Sequence, residues 1–412
     1  MSATVRKVEV PVSDTPELHD TVAIVLAGGQ GSRLHELTAR DCKPALPFAR
    51  FHRIVDFTMA ALARSGLERV IVGTQYRPAG LTKHLREVWT PVWAEGGLIL
   101  RDGADAGPYR GTADVLRANA AELDRMGARE VLVVAADHVY VMDYRRFIHA
   151  HRETGAPLTL AAMPVPRDQA HRFGIVTEGP GHRIAGFAEK PAQPAAIFGD
   201  ADHSLASLGI YVIDWAWLRS LLLDPQVQDF GEDVIPHAVQ RGEAAVWRWE
   251  GYWRDVGTLD GLRESWLDFE SSPPPCQRPF VPGMRPTLPE VLQQRDGFQA
   301  SLRSGGLQLM SPLVGTRDPS RWTALDRSVL MPGARVSPGV RLSNVIVAPR
   351  TVIPHGLQIG DDREEDARWF RVSGDTVLVT SAMLARRGAL RTPVFPLLSG
   401  RSRQAGKVQR AE

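Results

Sequence analysis

The chain has 412 residues, with 49 basic and 47 acidic side chains, a net charge of +2 and two cysteines. This near-balance of charge gives no electrostatic case for nucleic-acid or bulk membrane binding. Cys42 and Cys276 lie far apart and offer neither a disulfide framework nor metal-ligand spacing. The length exceeds what one core organises, so two domains are expected. The first 20 residues lack the apolar run of a signal peptide, and no stretch approaches 18 apolar residues, so a cytoplasmic protein is expected.

In chain order, residues 1–20 read as a loosely held arm. An apolar run of strand length, Val22 to Ala27, then ends in Gly28-Gly29-Gln30-Gly31-Ser32-Arg33, and Lys43-Pro44 follows ten residues later. Glycines after a strand let backbone N–H groups close on a phosphate, and Arg33 and Lys43 can neutralise a triphosphate. No Gly-Lys-Ser/Thr completes a Walker pattern, and Leu34 stands where the dinucleotide fingerprint needs its third glycine. The stretch reads as a nucleotide-phosphate loop.

A helix over Phe57 to Arg64, a strand over Val70 to Gly73 and a helix over Thr112 to Met126 closed by Gly127 are expected next. A buried strand, Val131 to Ala136, ends in Asp137-His138, followed by a helix over Tyr144 to Thr154 and a strand over Leu158 to Met163. This alternation with continuous apolar strands predicts a parallel sheet covered on both faces, with the site at the strands' carboxyl ends. Both the glycine loop and Asp137 fall at such ends. Shorter strands are expected over Ile175-Val176, Ile184 to Phe187, Leu208 to Ile213 and Ala244 to Trp249. Trp253-Arg254-Asp255-Val256-Gly257-Thr258 then leads into a helix over Leu259 to Phe269, with Thr258 as N-cap.

Ser271-Ser272-Pro273-Pro274-Pro275 is the clearest linker. The boundaries drawn are a catalytic domain over 20–270, a linker over 271–300, a second domain over 301–388 and a basic tail over 389–412. In the second domain Ala334, Val340, Ile346 and Val352 are spaced by six, and so are Val336, Leu342, Ala348 and Pro354. That period, with small or branched residues facing inward, predicts a short hexapeptide β-helix of little more than one clear coil, with poor register before Ser328.

Asp137 and Asp255 are the candidate metal ligands. Two carboxylates converging near a phosphate loop suit Mg²⁺, which takes few carboxylates and completes its shell with substrate phosphate oxygens. The competing reading has Asp137 capping a turn and Asp255 paired with Arg254. His138 reads as a structural hydrogen-bonder, and no nucleophile constellation is present. Of the 49 basic residues only five are lysines, and two of these precede proline, in Lys43-Pro44 and Lys190-Pro191. Retained lysine suggests a need for a compact ammonium, so Lys190 can reach an anionic sugar substituent. Tyr109-Arg110-Gly111-Thr112-Ala113 opens a helix whose amides can meet a base or phosphate. The ten tryptophans read as core.

With these stretches together, and with Ala136-Asp137-His138-Val139-Tyr140, Phe187-Ala188-Glu189-Lys190-Pro191, Gly209-Ile210-Tyr211, Asp229-Phe230-Gly231 and Glu364-Glu365-Asp366-Ala367-Arg368, the chain resembles bacterial ADP-glucose pyrophosphorylases. The resemblance runs from 20 to about 388. It implies a Rossmann-like α/β nucleotidyltransferase domain with a mixed, mostly parallel sheet, followed by a short left-handed β-helix. It implies ATP and glucose 1-phosphate as substrates, ADP-glucose and pyrophosphate as products, Mg²⁺ as cofactor, an anionic metabolite effector and a homotetramer feeding glycogen synthesis. Carried onto this sequence, it makes Arg33, Lys43 and Asp137 catalytic, and Asp137 and Asp255 metal ligands. Leu26, Ala27, Gly28, Gly29, Gly31, Gln75, Gly111 and Thr112 become nucleotide-binding, and Tyr109, Glu189, Lys190, Ser207, Gly209 and Asp255 sugar-phosphate-binding. Arg40, Arg50 and Arg53 become candidate effector ligands.

Four positions depart from the family pattern. Ala136 stands for a usual glycine, Asp41 for a basic residue, Pro108 for tryptophan and Ser381 for arginine. All fall in or near regions used for nucleotide positioning or effector response, so weak or atypical activation by fructose 1,6-bisphosphate is expected. The rival readings are a non-catalytic regulatory subunit, an enzyme of the same fold using UTP or dTTP, and an acyltransferase built on the β-helix. The last lacks enough coils and an identifiable catalytic histidine.

Overall fold

The computed structural model describes residues 18–49, 52–103, 107–271, 273–283, 298–304, 306–312 and 322–391. The chain opens with β1 (Thr21–Ala27), whose side chains alternate between two buried faces: Ala23, Val25 and Ala27 enter one core, Val22 and Ile24 the other. Such two-sided burial follows from an all-apolar strand inside a covered sheet. Next come α1 (Val55–Arg64), β2 (Val70–Thr74) and β3 (Leu98–Asp102). The expected single helix after Tyr109 is instead two, α2 (Thr112–Ala118) and α3 (Ala120–Arg125), broken at Asn119. Asn119 leaves helical geometry at φ −104°, ψ 10°, and its side chain donates to the Val115 carbonyl at 2.7 Å, competing with the backbone ladder.

The catalytic unit continues with β4 (Glu130–Ala135), β5 (His138–Tyr140), α4 (Tyr144–Thr154), β6 (Leu158–Pro166), β7 (Gly174–Glu178), β8 (Ile184–Glu189), β9 (His203–Asp214), β10 (Ala244–Arg248), β11 (Trp253–Asp255) and α5 (Leu259–Glu270). The main sheet runs β8-β7-β9-β4-β1-β2-β3, with β6 on β9 and β10 on β6. Strands β4, β1, β2 and β3 are parallel, whereas β9 runs antiparallel to β4, β6 and β7. The sheet is therefore mixed. Thr258 caps α5 as expected, accepting from the Gly261 amide at 3.1 Å.

A second, two-stranded sheet matters more for chemistry. The strand expected to end at Ala136 ends at Ala135, and the chain re-enters β structure as β5, which pairs antiparallel with β11. The register sets Asp255 opposite His138 and so brings Asp255 beside Asp137. Ala136 fits without strain: it is fully buried, and its N–H donates to the Leu26 carbonyl at 3.0 Å.

The proline-rich stretch does not swing free of the catalytic domain. Val281 is buried in the first core, and a His52 ring nitrogen lies 2.9 Å from the Pro279 carbonyl oxygen. Beyond it, a hairpin of β12 (Phe298–Ser304) and β13 (Leu307–Pro312) pairs onto β14 (Thr323–Asp326). The rungs are then β15 (Val329–Leu330), β16 (Arg335–Val336), β17 (Arg341–Ser343), β18 (Val345–Val347), β19 (Val352–Ile353) and β20 (Gln358–Ile359). A helix, α6 (Arg363–Trp369), and a strand, β21 (Arg371–Ser373), precede β22 (Thr376–Val379), and α7 (Ser381–Arg391) ends the described chain.

The β-helix coil is seventeen residues rather than three full hexapeptides. Ala324 pairs with Arg341, Val329 with Ile346, Arg335 with Val352 and Arg341 with Gln358, all in parallel. The six-residue period therefore slips by one per coil. Val340, Ile346, Val336, Leu342 and Ala348 point inward as expected, but Val352 is 56% exposed and Pro354 is exposed, while Ile353 takes the inner place. Register also begins earlier than expected, at β14.

Gly360 turns the last coil at φ +102°, and a Cβ there would collide with the Ser343 carbonyl. Gly360→Ala is expected to cost about 2 kcal/mol or more from left-handed strain plus the clash, read as a lowered Tm of the full chain. An unchanged Tm would contradict this packing.

Candidate active site

The loop after β1 opens with Gly28 and Gly29 and turns at Gly31, φ +62°, where a Cβ would sit 3.0 Å from the Lys43 Cβ. This close approach lets Lys43 run beneath the loop. Its ammonium lies 3.1 Å from Asp137 Oδ2 and 3.0 Å from Asp255 Oδ1. The lysine side chain is 5% exposed, Asp255 11% and Asp137 35%, so the triad faces the cleft through Asp137. Arg33 closes the far side: a Cβ placed on Gly257 would lie 2.8 Å from Asp255 Oδ1 and 3.0 Å from Arg33 Nη2. Arg254 pairs with Asp268 at 3.3 Å, which disposes of the reading in which it neutralises Asp255.

Burial alone would push the Lys43 ammonium's pKa down. The Asp137 and Asp255 carboxylates outweigh that and hold it above its usual value. Burial opposes ionisation of both acids, yet Lys43 and then His138 keep both carboxyls below the usual carboxylate range. His138 Nε2 is 3.6 Å from Asp137 Oδ1, beyond hydrogen-bonding distance, and its ring lies edge-on to Trp253 at 5.0 Å. It is a packing group beside the acids. Burial pushes the Cys42 and Cys276 thiols up to about 11, so neither is poised as a nucleophile.

The cleft above the triad has a volume of 440 Å³. Of the residues expected there, Leu26, Ala27, Gly28, Gly29, Gln75, Tyr109, Gly111, Thr112, Asp137, Glu189, Lys190 and Gly209 all line it. Arg33, Lys43, Gly31 and Asp255 do not line it: Lys43 is buried beside Asp137, Arg33 is exposed, and Asp255 lines an adjoining cleft with Trp253 and Arg254. Ser207 is 8% exposed, its hydroxyl accepting from the Gly209 amide at 3.4 Å, so it shapes the irregularity within β9 rather than lining the cleft. Gln75 holds the far wall: Oε1 accepts from the Tyr109 amide at 2.6 Å and Nε2 donates to the Tyr109 carbonyl at 3.4 Å. Lys190 is paired with the Glu189 carboxylate at the opposite wall.

The amides expected to open the helix at Gly111 are partly spoken for. The Ala113 N–H donates to the Gln228 carbonyl at 2.8 Å, and Arg110 turns back onto Asp114 at 2.8 Å. Thr112 Oγ1 donates to Asp229 Oδ2 at 2.9 Å. Tyr211, Asp229 and Phe230 also line the cleft and were not assigned from sequence, although the Asp229-Phe230-Gly231 motif was the signal for them. Of the effector candidates, Arg40 lines a separate cleft with Arg77, Lys83 and Arg86. Arg53 is committed to the Ala45 carbonyl at 2.8 Å, and Arg50 lies outside the described residues.

The donor set suits Mg²⁺. A cation, the Lys43 ammonium, already stands within 3.1 Å of both carboxylates, and among the described residues no cluster of three or more His, Cys, Asp or Glu side chains offers a softer or closed site. Asp137 opens to the cleft with Asp255 behind it, and Mg²⁺ takes few carboxylates and completes its shell with other oxygens.

The comparisons fit this geometry. Residues 22–272 match the nucleotidyl transferase family, and residues 306–380 match a GlmU-like C-terminal hexapeptide family. A glucose-1-phosphate adenylyltransferase of Cereibacter sphaeroides (strain ATCC 17025) is 38% identical over 89% of this chain and 96% of its own. Enzymes of that name from Jannaschia sp. and Rhizobium meliloti are each 35% identical, over 89% and 90% of this chain and 97% and 98% of theirs. The chain belongs to the glucose-1-phosphate adenylyltransferase family. Among the described residues no helix is long and apolar enough to cross a membrane.

Lys43→Met would leave the Asp137 and Asp255 carboxylates facing each other without their cation, a loss of about 2 kcal/mol once solvent at the 35%-exposed Asp137 is allowed for. A lower Tm is expected, with Mg²⁺ restoring more of it in the variant than it adds to wild type. The pH dependence follows from the signs. The acids' contribution is present above the ordinary Asp pKa and lost as pH falls through their depressed values, and that of Lys43 is lost as pH rises above its raised one. Between roughly pH 4 and 10 the triad keeps its charge. No limb of a turnover profile between pH 6 and 9 is expected to disappear in the still-active fraction of Asp255→Asn.

Proposed function

We propose that this chain transfers the adenylyl group of ATP to α-D-glucose 1-phosphate, giving ADP-glucose and pyrophosphate for glycogen synthesis in the cytoplasm. The observation that carries the reading is the convergence of Arg33, Lys43, Asp137 and Asp255 beneath a glycine-walled cleft that Glu189 and Lys190 close on the other side. A phosphate oxygen of the sugar attacks the α-phosphorus in line, and the bond from that phosphorus to pyrophosphate breaks. The attacking dianion needs no general base, consistent with a cleft that presents charge and backbone rather than a nucleophile and its partner. Arg33 and Lys43 neutralise the triphosphate, Tyr109, Glu189 and Lys190 meet the sugar phosphate, and Gln75 walls the nucleotide. Mg²⁺, when held by Asp137 and Asp255, would offset phosphate charge. Catalysis is then positioning and charge neutralisation.

Regulation belongs to the same reading. An anionic metabolite would meet four cations, Arg40, Arg77, Lys83 and Arg86, against two acids, Glu87 and Asp102, in a cleft that lies wholly on the catalytic domain. Ser381 spends its hydroxyl on Thr351 at 3.1 Å and adds no charge, and Asp41 stands beside Arg40, so activation by fructose 1,6-bisphosphate is weak. A homotetramer, as in the resembling family, completes the proposal.

Pyrophosphate release from purified protein with Mg²⁺, glucose 1-phosphate and a panel of ATP, UTP and dTTP tests the activity. ATP is expected to be the preferred nucleotide, and release with none of them would leave the regulatory-subunit reading. Asp137→Asn is expected to lower turnover by orders of magnitude with the fold intact. Lys190→Gln is expected to raise the glucose 1-phosphate constant by about one to two decades while moving the ATP constant little, since one charge-assisted contact is lost. An unchanged sugar-phosphate constant would remove Lys190 from that role.

A further inference from the structure

The polar contacts that join the two domains gather on the segments carrying Asp255 and Arg33. α5 starts just after Asp255, and its Asp260 Oδ1 accepts from Thr376 Oγ1 at 2.5 Å and the Asp375 amide at 3.1 Å. One turn on, Arg263 is 2% exposed; it donates to Thr376 Oγ1 at 2.9 Å, to the Arg327 carbonyl at 3.4 Å and to the Asn344 side-chain oxygen. An apolar core runs through the same junction, with Leu34, Val256 and Trp266 packed beside Met331, Ile346 and Leu378. The β-helix is thus fixed relative to Asp255 by buried contacts.

From that fixed platform Arg371 reaches back to the phosphate loop. Its Nη2 donates to Glu36 Oε1 at 2.7 Å, and its Nε lies 3.3 and 3.4 Å from the two carboxylate oxygens, a forked contact. Glu36 sits in the 3₁₀ turn Ser32–Thr38, three residues after Arg33. Within that turn the Thr38 hydroxyl lies 3.1 Å from both the Gly31 and the His35 carbonyls, yet Gly31 supplies no side-chain cap and His35 is held at φ +52°, ψ −123°. A conformation of this kind persists only where its surroundings over-determine it. Leu34 and Leu37 pin the apolar side of the turn, and Arg371 pins the polar side.

We propose that Arg371 is a positioning residue for the nucleotide site: through Glu36 it fixes the turn that presents Arg33, so that the C-terminal domain sets the geometry of triphosphate binding. This rests on the assignment of Arg33 to ATP. The pair is half exposed, at 47% and 33%, so its removal costs little stability and a loss of function would not be unfolding.

The test uses full-length Arg371→Gln, Glu36→Gln and the reversed pair Glu36→Arg/Arg371→Glu. Each single change is expected to raise the ATP KM about fivefold, with the glucose 1-phosphate KM moving less than twofold and Tm within about 2 °C, and the reversed pair to recover most of the loss. Equilibrium dialysis of ATP should show the same ordering without turnover. Unchanged ATP binding in both single variants, equal losses for both substrates that track Tm, or no recovery in the reversed pair would each overturn the proposal. Wild type that binds ATP but releases no pyrophosphate would instead count against the catalytic reading, while the dialysis series would still decide the role of Arg371.

Discussion

The ammonium of Lys43 between Asp137 and Asp255 is the contact on which the site depends. Two carboxylates cannot be held together in a largely buried floor without a cation to offset their repulsion and lost hydration. Every element that matters serves this arrangement. Gly31 lets the loop pass close enough to lysine, β4 ends where Asp137 must emerge, and the β5–β11 ladder delivers Asp255 from more than a hundred residues away.

A second constraint lies behind the first. The core that contains Leu34 and Val256, neighbours in sequence of Arg33 and Asp255, also contains Val329, Ile346 and Leu378 of the β-helix. The two domains share one apolar interior at this point, so the catalytic floor is built across a junction. The buried Arg263, satisfied by a hydroxyl, a carbonyl and an amide oxygen, gives the junction a unique docking.

Much of the catalytic half was legible because its signals are local. Three glycines after an apolar strand, a proline-flanked lysine in an arginine-rich chain, and Thr258 before an amphipathic helix each carry their meaning within a few residues. The pairing of Asp137 with Asp255 was inferred by convergence, but its cause, the β5–β11 register, is long-range and leaves no trace in either segment. Lys43 could be assigned to phosphate by charge, yet its place between the acids depends on a fold-level approach. The break at Asn119 was missed because apolar periodicity runs through it, and a side-chain bond to Val115 overrode it. Val352 and Pro354 were set inside by a strict count of six, whereas one shortened turn per coil moves Ile353 into their place. Tyr211 and Asp229 were passed over because aromatic and acidic residues on strands and turns most often serve packing and capping, which Asp229 also does here.

The seventeen-residue coil carries a consequence for how such a domain can lengthen. Duplicating a stretch of the β-helix preserves inward and outward faces only when the copied segment equals the true coil; eighteen residues, the length three hexapeptides suggest, would rotate every later position by one and expose Ile353- and Ile359-like side chains to water. The excursion through α6 and β21 before the chain rejoins at Val345↔Val377 shows the tolerant alternative, growth outward between rungs instead of along the axis. Arg371 lies on that outgrowth, so a contact with the catalytic loop was reachable by lateral insertion without disturbing the stacking beneath it.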